Sequence, residues 1–372
     1  MPQQLHIALF SHSLVSDWNH GNAHFLRGLM RALAKLGHVV RCYEELGSWS
    51  MNNLFRNEGE RAIEVIDQFR HEYPELDVRF YNPREHFEDF LKTELKDVNV
   101  VLIHEWNEPF VTNSILALKK QYDFIALFHD SHHRSFSRAG DILKFDLHRL
   151  DGVLAFGEAI QRIYLAGFGV RRAWTFHEAA DIDAFKPLER SKEIDIVWIG
   201  NWGDEERSTE LHEFLIRPTA LLKGRRVVAH GVRYPEVARQ KLHSAGVEYR
   251  GYLANLVSPE VYARSAVTVH IPRRHYANGL AGIPTIRVFE ALACGIPLVC
   301  SPWSDDEHLF HPGEDYLIAN DGNQMVELME SLLNDHQARR QLGEQGRRTI
   351  HARHTCAHRA QELISICEEI RP

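Results

Sequence analysis

Residues 282–300 read GIPTIRVFEALACGIPLVC. The stretch predicts a loop, a helix and a short buried strand in immediate succession. Pro284 and Thr285 open the helix, and Thr285 is placed to cap it by accepting a hydrogen bond from a free backbone N–H. Ile286, Phe289 and Ala293, flanked by Val288 and Leu292, fall at helical spacing. Gly295 supplies a left-handed stop and Pro297 blocks continuation. Leu298 to Cys300 are of strand type. Glu290 stands about one turn inside the helix, with Arg287 three residues before it. A helix start with free N–H groups, here at Ile286, suits an anion. A carboxylate one turn deeper can accept hydrogen bonds from hydroxyls beside that anion. A diphosphate next to a ribose diol would satisfy both. An ordinary helix on a sheet, with a solvated Glu290, fits the same residues.

Outward from this stretch, strand and helix patterns alternate through the whole chain. His6 to Phe10 (HIALF), a loop holding Gly21, a helix from Ala23 to Leu36 and a strand from His38 to Tyr43 form one βαβ unit. Residues 44–58 read as a loop or broken helix. Further strands are expected at Val78–Tyr81, Val98–His104, Phe124–Phe128 and Gly152–Phe156. The segment AADIDAFKP (179–187) reads as a linker. After it the pattern restarts with Ile194–Ile199, Arg226–His230, Val247–Tyr249 and Val267–Ile271. The expected class is α/β, with two doubly wound Rossmann-like domains. Residues 1–187 form the first and 188–355 the second. Residues 356–372 form a helix free to cross back to the first.

The bulk numbers agree. A chain of 372 residues exceeds one ordinary core. Hydrophobic content of 44% and charged content of 25% describe a globular protein. A net charge of −8 argues against nucleic-acid binding through bulk electrostatics. No long apolar run suggests a membrane span, although peripheral membrane contact is compatible with the sequence. The start, MPQQLHIALF, has no basic segment before a long apolar one, so a cytoplasmic setting is expected. Five dispersed cysteines suggest neither a disulfide framework nor a zinc ribbon.

Two such domains facing a central cleft would bring several strand ends together. The loops around Gly21, around His129 and from Gly200 to Arg207 are the candidates. Arg207 follows an acidic run (DEER) before a helix, where it can reach a diphosphate or pair with Glu205 or Glu206. His129, Asp130, His132 and His133 follow a buried strand. Because an irregular loop need not make its histidines converge, no metal is expected there. Arg273, Arg274 and His275 follow another strand and suit a phosphate, or simply form a solvated basic turn. Asp305, Asp306 and Glu307 read as a loop rather than a metal site.

In order, HGNAHFLRGLMRALAKLGHVV, FHDSHH, AADIDAFKP, IGNWGDEERS, FEALACGIPLVCS and HPGEDYLIA resemble the glycosyltransferases of GT-B fold. The resemblance is nearest to the group 1 (GT4-like) and CgeB-like transferases and covers nearly the whole chain. It implies a metal-independent transfer of a sugar from a nucleotide-diphosphate donor to an acceptor hydroxyl, with no cofactor and with retention of configuration. Glu290 would bind the ribose hydroxyls and Arg207 the diphosphate. His129 would lie near the reacting sugar, with Asp130 as proton acceptor. Gly21, Gly200, Asn201, Arg273, Arg274, Thr285, Ile286 and Arg287 would complete the donor side. His20, Asn22, His24 and His132 would line the acceptor side. Two positions depart from the pattern. The family's first glutamate corresponds to Gly282, and a position that is often arginine is Asn201. A catalytically silent sugar-nucleotide scaffold and a sugar-nucleotide epimerase are the alternatives. The nucleotide base, the sugar and the acceptor, whether glycan, lipid, protein or small molecule, are not encoded in any motif.

Overall fold

The computed structural model describes residues 4–371. The chain divides into two units. One runs to Glu178 and regains the chain from Cys356, and the other is Ala179–Thr355. The change of unit expected at residue 187 thus falls at 178/179.

The first unit is built on seven parallel strands. They are β1 (His6–Ser11), β2 (Val39–Glu45), β3 (Asp77–Tyr81), β4 (Val100–His104), β5 (Ile125–Asp130), β6 (Gly152–Ala155) and β7 (Ala173–Thr175), in the order β3-β2-β1-β4-β5-β6-β7. β4, β5 and β6 are buried at every position, as strands covered on both faces must be. β3, at the edge, keeps exposed and half-buried positions in its DVRFY sequence. The segment read as a loop or broken helix forms the helix Trp49–Glu58, capped by the Ser48 hydroxyl on the Met51 N–H. The helix Cys356–Ile370 packs on Ala23–Lys35 of this unit, with Cys356 Sγ 3.9 Å from the Phe25 carbonyl oxygen.

The second unit repeats the plan with six parallel strands. They are β8 (Ile194–Ile199), β9 (Val227–His230), β10 (Val247–Tyr249), β11 (Ser265–His270), β12 (Leu298–Cys300) and β13 (Leu317–Ile318), in the order β10-β9-β8-β11-β12-β13. The opening stretch forms the helix Ile286–Ala293 and strand β12. Gly295 follows with φ +66°, the left-handed stop its position required. Ile286, Val288, Phe289, Leu292 and Ala293 are all buried.

Both sheets reverse their strand order once, between β1 and β4 and between β8 and β11. In open α/β sheets, ligands bind outside the carboxyl ends of the strands at such a reversal.

Candidate active site

At the reversal of the second sheet, β8 runs into Gly200 and Asn201, and β11 ends at His270. Gly200 is needed for space, since a Cβ there would stand 2.3 Å from the Trp198 ring. The Gly200 carbonyl accepts from the Tyr234 hydroxyl at 2.8 Å, and that hydroxyl accepts from Trp198 Nε1 at 2.7 Å. Asn201 accepts from the Val232 N–H at 2.9 Å, which ties two loops together.

Arg207 precedes the helical run 208–221. Its guanidinium carbon lies 5.3 Å from the centre of the Trp198 ring, and Nη1 donates to the Ile271 carbonyl at 3.0 Å. Its Nε is buried without a partner. The alternative, a pairing with Glu205 or Glu206, does not form; Glu206 pairs with Arg273 instead. Burial, and then the neighbouring Arg273, push Arg207 down to about 9, so it stays cationic at neutral pH.

The other cations here have carboxylate partners. Arg274 donates to Glu210 at 2.9 Å and Arg287 pairs with Glu290. Arg273 and Arg274, expected as phosphate ligands, therefore each have an acidic residue beside them. Sequence spacing could not show this, because Glu206 and Glu210 lie more than sixty residues away along the chain.

Glu290 is fully buried, not solvated. Asn255 Nδ2 donates to its Oε1 at 2.7 Å, and Arg287 holds Oε2. Thr285 sits at the N-cap position, but its side chain does not cap the helix. Its hydroxyl instead meets His270 Nε2 at 2.9 Å. Burial, and then Arg207 and Arg287, push His270 down to about 3.

At the reversal of the first sheet, β1 leads into the loop that holds His20, Gly21 and Asn22. The Glu44 carboxylate at the end of β2 fixes this loop by accepting from the Leu14 N–H at 2.7 Å and the Val15 N–H at 2.6 Å. Arg27 donates to the Leu14 carbonyl and pairs with Asp17 at 3.0 Å. Asn22 bridges to β5 through the Ser131 hydroxyl at 2.8 Å.

His129 is fully buried in β5 between Phe25 and Phe176, and both ring nitrogens lack a partner. Burial, and then His20, push it down to about 3. Asp130, anticipated as a proton acceptor, is also fully buried. It accepts from the His132 N–H at 3.0 Å and from the Tyr164 hydroxyl at 2.8 Å. His24, anticipated on the acceptor side, is fully buried in its helix. His132 is half-buried against Trp106, which in turn carries Arg134 over its ring at 4.5 Å.

Residues 205–365 match a family model described as "Glycosyl transferase-like". The fold recurs in solved structures over almost the full length. A glycosyltransferase from Rickettsia africae ESF-5 is 12% identical, with 99% of each chain covered and a TM-score of 0.65. Sucrose-phosphate synthase from Thermosynechococcus elongatus is 15% identical, with 99% of each chain covered and a TM-score of 0.64. HepE from Anabaena, in complex with UDP-glucose, is 12% identical, with 98% of this chain and 100% of that chain covered and a TM-score of 0.67. No curated protein matches by sequence.

The chain has the GT-B fold, and residues 205–365 are glycosyl transferase-like.

Gly282 has φ +87°, and a Cβ there would stand 2.7 Å from Glu307 Cγ and 2.9 Å from Glu307 Oε1. A carboxylate from the following loop thus reaches the backbone of residue 282. Asp305 accepts from the Phe310 and Leu309 N–H groups and shapes that loop. Sequence reasoning missed Glu307 as a site residue, and also His12, His104, His270 and Asn255. Two of these carried a usable signal: His104 and His270 are the last residues of interior strands, as His129 nearly is.

Proposed function

We propose that this protein is a glycosyltransferase that moves a hexose from a nucleotide-diphosphate sugar to an acceptor hydroxyl, the second unit holding the donor and the first the acceptor. The observation that carries this reading is Arg207. A half-buried guanidinium without a carboxylate partner, placed at a strand-order reversal, is a ready counter-charge for a diphosphate. As the bond between the sugar and the diphosphate breaks, negative charge grows on the leaving oxygen. A cation already fixed there stabilises that state more than the ground state. The N–H groups at the helix start near Ile286 add to it. Leaving-group stabilisation of this kind needs no metal at the diphosphate.

Glu290, now held by Arg287 and Asn255, would accept from the ribose hydroxyls once Arg287 is drawn to the diphosphate. Glu307 supports a sugar contact in place of the glutamate absent at 282. His129 and Asp130, both fully buried, would support the acceptor side from within the sheet, and His20, Asn22 and His132 would line it. Retention of configuration follows the resemblance. UDP-glucose is the first donor to try, since HepE has been seen with it. Five free, buried cysteines suit a reducing compartment such as the cytoplasm.

The test is nucleotide release from a panel of sugar nucleotides, with and without candidate acceptors. The expected result is release that an acceptor accelerates and that Arg207→Ala lowers by roughly a hundredfold. Release that Arg207→Ala leaves unchanged would overturn the reading. Binding without turnover for every donor would indicate a scaffold. Isomerised donor without acceptor would indicate an epimerase. The anomeric configuration of the product, read by NMR, decides retention.

A further inference from the structure

His12 follows β1 directly, His104 ends β4, and His20 lies in the loop between β1 and the helix Ala23–Lys35. β1 and β4 are hydrogen-bonded neighbours, with Phe10 opposite Ile103. The strand-order reversal therefore gathers three histidines spread over more than ninety residues of chain. Their ring centres are 4.4 Å apart for His12 and His20, 5.4 Å for His12 and His104, and 5.2 Å for His20 and His104. One nitrogen from each ring lies within 4.8 Å of the others.

The hydrogen bonding leaves a lone pair unpartnered on His20, and His12 Nδ1 is unpartnered as well. His20 Nδ1 is 3.0 Å from the Ser13 carbonyl. A carbonyl oxygen can only accept, so Nδ1 carries the proton and Nε2 the lone pair. That Nε2 is buried and unpartnered, and so is His12 Nδ1. His104 Nε2 meets the Ser131 hydroxyl at 2.9 Å, and that hydroxyl also accepts from Asn22; His104 Nδ1 accepts from the Trp106 N–H at 3.4 Å, a long bond that a metal at Nδ1 would replace. Metal-bound histidines are commonly held this way, with the second ring nitrogen on a carbonyl or other oxygen that fixes tautomer and orientation. Buried acceptors without donors are costly unless something electrophilic fills the space between them. The nearby cations do not forbid it, because Arg27 is paired with Asp17 and Arg134 with Glu105.

We propose that His12, His20 and His104 of the first unit bind a divalent transition metal, zinc being the best fit. Three neutral imidazoles suit zinc, copper, nickel or iron(II), and disfavour calcium and magnesium, which take oxygen ligands. Nitrogens within 4.8 Å of one another need to close by only about 1–2 Å to meet the ~2.0–2.1 Å Zn–N distances of a tetrahedral ion. Three protein ligands leave a fourth position for an exchangeable oxygen ligand. The site is distinct from the diphosphate-binding groups proposed above, all of which belong to the second unit.

The experiment uses untagged full-length protein, stripped with a chelator and titrated with zinc and with cobalt(II). The expected result is one tightly bound equivalent and the intense visible bands of four-coordinate cobalt. His20→Gln and His104→Gln should each weaken zinc binding by tenfold or more, while circular dichroism confirms that they remain folded. Zinc binding that both variants keep at full strength would overturn the proposal and point to other histidines. Absence of four-coordinate cobalt bands in the wild-type protein would also overturn it, whatever the folding of the variants. Neither readout depends on transferase activity, so the outcome is separate from that of the donor reading.

Discussion

Glu307 lies directly against the backbone of Gly282, close enough that no side chain fits between them. Gly282 is thereby fixed twice, by its positive φ and by the glutamate that faces it. If Glu307 contacts the donor sugar, Glu307→Ala should raise the KM for the sugar nucleotide about tenfold, a loss of about 1.4 kcal/mol. Inhibition by the nucleoside diphosphate alone should change far less. Initial-rate kinetics with both ligands checks this, and equal losses for both would remove Glu307 from the sugar site.

Gly282→Ala should be harmful through the backbone as well. A non-glycine residue at this φ costs about 1–2 kcal/mol, before any displacement of Glu307 is counted. Urea unfolding should show a lower midpoint with an unchanged slope. A midpoint equal to wild type would mean that the loop readjusts freely.

The Glu290–Arg287 pair is buried on the glutamate side and partly open on the arginine side. Glu290→Ala removes the partner of both Arg287 and Asn255. A loss of about 2–3 kcal/mol is expected, reduced from the fully buried case because Arg287 can turn to water. Glu290→Gln should recover part of the stability, since its carbonyl can still accept from Asn255, but none of the ribose affinity that depends on charge. Calorimetric binding of a nucleoside diphosphate, measured beside unfolding, separates the two effects.

Acid should unfold this protein through its histidines. His270 titrates near 3 in the folded chain, against 6.5 for an ordinary histidine. Below 6.5 the unfolded chain binds a proton that the folded chain refuses. Stability is therefore fully present above pH 6.5 and falls as pH drops towards the folded value. At pH 5 the cost is about 2 kcal/mol for one such group. His270→Gln should flatten the decline in melting temperature between pH 7 and 5. A parallel decline in the variant would show that the other buried histidines, not His270, carry it.

Much of this was legible in residues 282–300, where helix, stop and strand fall as their spacing requires. The interior strands were legible because covered strands are apolar at every position. β7 and β13 were not, since they are short and mostly half-buried, so no apolar run marks them. Arg207 was found from its place before a helix, but its isolation from carboxylates was not. That depends on Arg273 taking Glu206, a choice made in three dimensions. The meeting of His12 with His104 was hidden for the same reason: strand order, not spacing, makes them neighbours.

The helix Cys356–Ile370 completes a unit that began at the other end of the chain. During synthesis, the contiguous unit Ala179–Thr355 is fully made while the first still lacks its final helix. At ordinary translation rates the wait lasts roughly 1–3 s. Throughout it, the face of Ala23–Lys35 that this helix covers stays open. The first unit is thus the later to finish, and its completion waits on the codons for residues 356–370.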